Sequence, residues 1–177
     1  MNLRRIIYRL AVVACVLPGV ALSSSAGAVD SRDDVSLAGT WTLVAADVQH
    51  PDGSRSHDYG DAPKGLLMID GAGRYSLQIL RSDRPRFADP AKAKGSAQEY
   101  KAAVMGSSTH YGTLAVDAGK QQLVFHIEGA SFPNWEGQTQ TRTFELQGDT
   151  LSYRVPPRPN GDVPISVWRR VEGDVAH

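Results

Sequence analysis

Between Leu37 and Val171 the chain is divided into short runs of alternating polarity by tight turn signals, and this punctuation restricts the fold more than any other feature. Lys64 to Ile69 and Arg74 to Arg81 flank Asp70-Gly71-Ala72-Gly73, a loop whose glycines permit positive φ. His110 to Val116 and Gln121 to Glu128 flank Asp117-Ala118-Gly119-Lys120. Gln138 to Leu146 and Leu151 to Val155 flank Gln147-Gly148-Asp149-Thr150. With Gly39 to Val48 before them and Val163 to Val171 after, these make eight strands in meander order. The expected fold is therefore all-β: an eight-stranded antiparallel barrel, a size that can enclose one small ligand.

One short helix interrupts the strands. Ser96-Ala97-Gln98-Glu99 is a capping box, in which the Ser hydroxyl meets the third amide and the Glu reaches back. Gly106 supplies the stop, and Tyr100, Ala103 and Val104 share one face. Such a helix either packs against one side of the barrel as a plug or covers its mouth as a lid.

The first 28 residues belong to a different class. Arg4, Arg5 and Arg9 precede an apolar stretch from Leu10 to Leu22, and Ala26-Gly27-Ala28 is a small-residue cleavage site. This is the pattern of a secretory signal peptide, which predicts a periplasmic or secreted protein whose barrel domain occupies residues 29–177. Val12-Val13-Ala14-Cys15 loosely resembles a lipobox, but only five apolar residues separate Arg9 from Cys15. Cleavage after Ala28 removes three arginines and no acids, leaving 149 residues, no cysteine and a net charge of −3. Stability must then come from the core rather than from disulfides. No apolar run reaches the roughly 18 residues of a transmembrane helix. Equal numbers of basic and acidic residues argue against a nucleic-acid partner.

Gly39-Thr40-Trp41 opens the first strand and Arg169-Arg170 stands near the end of the last. The pair resembles the lipocalin G-x-W motif, which implies a Trp plugging the closed end of the barrel beneath a basic residue. The segments Gly73 to Ile79, Arg81 to Ala88, Phe125 to Gly129, Ser131 to Gly137 and Val167 to Arg170 resemble the bacterial lipocalin-like domain family. That resemblance implies an architecture and no shared reaction. The T-D-Y motif of kernel lipocalins has no counterpart, so animal-type ligand transport does not carry over.

Alternation gives a partial cavity lining. Tyr75, Leu77 and Ile79 share parity with Arg81; Gly112, Leu114 and Val116 share it with His110; Phe144 and Leu146 share it with Gln140 and Arg142. Apolar residues toward one end, with Arg81, His110 and Arg142 toward the other, suit an amphipathic acid, because the arginine fork matches a carboxylate. These polar groups could equally end in solvent. Leu123, Phe125 and Ile127 form the apolar parity of their strand, which turns His126 outward unless a bulge at Gly129 turns it inward. Trp135, in the loop from Gly129 to Gly137, either gates the mouth or anchors its loop. The stretch from Arg81 to Lys101 holds six bases and three acids, a local charge of +3 that could steer an anion.

The candidate ligand-binding set is thus Tyr75, Arg81, His110, His126, Trp135 and Arg142, with no cofactor and no metal expected. His50 and His57 sit in a Pro/Gly/Asp loop without chelating spacing, and no nucleophile or phosphate-binding motif occurs. Three functions follow in order: a module binding a small hydrophobic or amphipathic molecule, a cavity enzyme of isomerase or cyclase type, and a ligand-free envelope interaction protein. A cavity smaller than roughly 300 Å³ favours the third.

Overall fold

A computed structural model describes residues 36–172. The expected signal peptide over residues 1–28, with Cys15 in it, lies outside the described residues.

The strands are β1 (Gly39–Gln49), β2 (Arg55–Ser56), β3 (Lys64–Ile69), β4 (Arg74–Leu80), β5 (Ser107–Asp117), β6 (Gln122–Ala130), β7 (Thr139–Gln147), β8 (Thr150–Arg154) and β9 (Val163–Arg170). Every pairing is antiparallel, β1 runs beside β3 and each later strand beside the next, and β9 returns to β1. Eight strands therefore close a barrel, and the two-residue β2 lies against the end of β1 through Val48 and Ser56. The expected meander is the observed one; β5 starts earlier than expected, at Ser107.

Local chemistry accounts for the hairpins. Asp70 accepts hydrogen bonds from the amides of Ala72 and Arg74, and Gly73 adopts a φ of 79°. In the next hairpin, Asp117 accepts from the Lys120 amide at 3.0 Å.

Two bulges set which side chains face inward. On β1 the register shifts between Leu43 and Ala45, so Trp41 and Leu43 point in before it, and Ala46 and Val48 after it. On β6, Glu128 has no opposite residue, because Tyr111 pairs with Gly129 and Gly112 with Ile127. Leu123, Phe125 and Ile127 face the core ahead of this bulge, and Ala130 beyond it. A side chain at Gly112 would collide with the His126 carbonyl oxygen, so the close approach of the two strands requires glycine there.

The floor is sealed at the end where β1 begins. Trp41 and Trp168 are fully buried among Leu67, Leu123 and Leu151. The Arg170 guanidinium lies 4.1 Å from the Trp41 ring centroid and donates to the carbonyls of Ala38 and Ser36. Trp41 Nε1 donates to Leu37 O at 3.0 Å. Of the two arginines in the motif, it is Arg170 that covers the Trp.

The helix departs from both expectations. Its capping box is present, over α1 (Ala97–Met105), yet the helix buries none of its residues and lines no part of the barrel cavity. Val104 and Met105 stand exposed. Tyr100 turns to its own loop, donating to Lys92 O, accepting from the Gly95 amide and packing on Phe87. The segment is neither plug nor lid but a strap on the outside of the wall. No helix among the described residues is long and apolar enough to cross a membrane.

Candidate functional site

The loops joining β1 to β3, β4 to β5, β6 to β7 and β8 to β9 lie at the end opposite the sealed floor. Beneath them is a cavity of about 240 Å³. Apolar groups of Val48, Leu77, Ile79 and Ile165 line it, together with His110, Trp135, Arg142 and Tyr153.

Arg142 reaches this wall because it shares the inward parity of Phe144 on β7. It is only 6% exposed, and no carboxylate lies within ion-pair distance of it among the described residues. The guanidinium carbon sits 4.2 Å from the Phe125 ring centroid and 5.0 Å from that of Tyr153. Its Nη2 donates to His110 Nε2 at 3.1 Å and to Gln140 Oε1 at 3.0 Å.

An arginine can only donate, so His110 Nε2 is an acceptor and the ring proton sits on Nδ1. That proton is donated to the Tyr75 hydroxyl at 2.7 Å. The hydrogen-bond chain therefore runs in one direction, from Arg142 through His110 to Tyr75. Burial, then the charge of Arg142, push the His110 pKa down to about 3, and the imidazole is neutral. Burial likewise pushes the Tyr75 phenol above its ordinary range. Among the described residues, the guanidinium is the one buried charge lining the cavity; Asp47, Asp58 and Arg158 also line it but are less buried.

Two polar groups of the wall are buried without partners: Arg142 Nε and the Tyr153 hydroxyl. At the mouth, the carboxylates have partners of their own. Asp47 bonds His57 Nδ1 at 2.8 Å, and Asp58 lies 3.6 Å from Arg158. His50 bonds Asp162 at 2.8 Å and Ser56 at 3.1 Å, tying the β1–β3 connection to the β8–β9 loop.

Of the candidate residues, the structure brings Tyr75, His110, Trp135 and Arg142 together. Trp135 stands edge-on to His110 with centroids 6.2 Å apart, in a single 3-10 turn, Pro133–Trp135. Arg81 is a correction. Strand β4 ends at Leu80, the Arg81 amide turns to Gly106 O, and its side chain pairs with Asp83 in the open at 2.7 Å. His126 is another. The bulge falls after it, so the ring stays outside the barrel, 3.2 Å from the Thr139 hydroxyl. Tyr153 was missed, although Leu151 and Tyr153 alternate on β8 as the recognised pairs do.

A family model described as a lipocalin-like domain matches residues 38–171. The 4'-hydroxy-3'-methoxypropiophenone carrier protein of Aspergillus oryzae is 26% identical over 82 residues, which cover 43% of this chain and 74% of that protein. Among solved structures, a lipocalin-like protein from Bacteroides uniformis has a TM-score of 0.41 at 16% identity, covering 76% of this chain and 98% of its own. A mutant of the fluorescent protein UnaG has a TM-score of 0.35 at 14% identity, over 76% of this chain and 96% of its own.

Proposed function

The chain belongs to the lipocalin-like domain family, and from that premise we propose that it is an exported carrier of a small amphipathic molecule, held in the mouth cavity of the barrel. The observation that carries this reading is the cavity itself: apolar and polar side chains above a sealed floor, with one buried guanidinium set among them. Such a cavity holds an apolar body and orients a polar head. The Aspergillus oryzae relative, a carrier by name, supports carriage. The signal-peptide pattern of residues 1–28 supports export to the periplasm or beyond.

Size limits the cargo. At about 240 Å³ the cavity is smaller than the roughly 300–1,000 Å³ of sites for drug-sized ligands. The fitting molecule is a single ring or a short chain. The same volume favours a second reading, in which the barrel is a filled scaffold that acts through its surface.

Thermal unfolding separates the two. Toluene, indole and hydrocinnamate, added singly, differ in ring size and head group. A carrier is stabilised by about 2.7 kcal/mol at a ligand concentration of 100 times Kd. A rise in midpoint that follows concentration for at least one of these probes is expected. Midpoints that none of them moves would favour the filled scaffold.

A further inference from the structure

We infer that the cargo is a small monocarboxylic acid bound as its anion, its carboxylate received by Arg142 with the Tyr153 hydroxyl in the same wall. This rests on the carrier reading and narrows it to one chemical class. A buried cation without a counter-charge is costly, and rings stacked on it offset only part of that cost. Arg142 is such a cation, with Phe125 and Tyr153 as its rings and neutral His110 and Gln140 as its acceptors. Both of its hydrogen bonds leave from Nη2, while Nε is buried without a partner. The Tyr153 hydroxyl in the same wall is equally unpartnered. Donors at Nε and Nη1 and a phenol proton are what a carboxylate accepts.

The charge count sets the class. Among the described residues Arg142 is the one buried cation lining the cavity, and His110 is held neutral by burial and by Arg142. Arg158 at the mouth faces Asp58, and Asp47 faces His57. One positive charge matches a singly charged head and leaves a dianionic phosphate half-compensated. The 240 Å³ cavity restricts the body, and Leu77, Ile79, Val48 and Ile165 give it an apolar side to pack against.

The test compares hydrocinnamate with hydrocinnamide, which has nearly the same shape and no charge. Both are titrated by calorimetry into the wild-type protein, Arg142→Met and Tyr153→Phe, with amide spectra reporting shifts at cavity-lining residues. In the wild type the acid binds at least tenfold tighter than the amide. Arg142→Met weakens the acid about 10- to 150-fold and leaves the amide within about threefold. Tyr153→Phe, which keeps the ring and can serve if Arg142→Met fails to fold, weakens the acid about 2- to 10-fold. If the amide shifts the cavity residues and binds as tightly as the acid, the acid assignment falls while the carrier reading stands. If neither compound shifts them, both fall.

Discussion

Arg142 shapes the chemistry of the cavity together with the burial of its neighbours. Burial first, then the charge of Arg142, keep His110 neutral, with a pKa of about 3 against an ordinary 6.5. The folded form thus binds fewer protons than the unfolded one as pH falls below about 6.5. Stability from this group is complete above that pH and is lost toward pH 3, at up to about 1.4 kcal/mol per unit. Urea denaturation between pH 4 and 6.5 should show His110→Gln losing stability less steeply than the wild type; parallel curves would refute the assignment. At the floor, Trp41→Ala removes a fully buried ring and the surface on which Arg170 lies. A cost of roughly 3–5 kcal/mol is expected, and one below about 1 kcal/mol would mean that the floor is not sealed by Trp41. Residues inside regular strands were legible in the sequence, since parity alone located Tyr75, His110 and Arg142. Arg81 was misplaced because parity ends with β4, one residue before it.

At the scale of elements, turn chemistry and strand alternation were legible because both are local. The capping box of α1 was also local, and the helix is there; its position was not, since no residue of it is buried and amphipathic spacing had no core to report. The β1–β3 connection is the converse. It has no periodicity, yet it closes one side of the mouth through contacts between residues far apart in sequence. Asp47 raises the pKa of His57 through their hydrogen bond. The ion pair is therefore intact below the ordinary histidine pKa and is lost as pH rises through the raised one. Amide protection at Gly60, whose N–H bonds His57 O, should decline across that rise in the wild type and not in His57→Ala. Equal pH profiles for the two proteins would remove His57 as a fastener of the loop.

For the whole molecule, closure by β1 with β9 leaves the fold without a free barrel edge, and the two bulges decide what the interior contains. The β1 bulge was not legible in the sequence, and the one beside Gly129 was legible only as an alternative, because a bulge depends on how two strands meet. Each shifts a strand's parity, as β1 does when Ala46 and Val48 replace the odd-numbered positions at the wall. The interior is consequently filled at the floor and hollow at the mouth, with the cation at the hollow end. That arrangement holds cargo only if the hollow is the place it occupies. Ala46 is 5% exposed and lines it, so Ala46→Leu puts a larger side chain into the space while leaving Arg142, His110 and the floor tryptophans unsubstituted. The most direct measurement is native mass spectrometry of the wild-type protein and Ala46→Leu, each purified from the cells that make it. The wild type should carry a small-molecule adduct released on denaturation, and Ala46→Leu should be folded and free of it. An adduct retained equally by both proteins would place the cargo elsewhere and contradict the account.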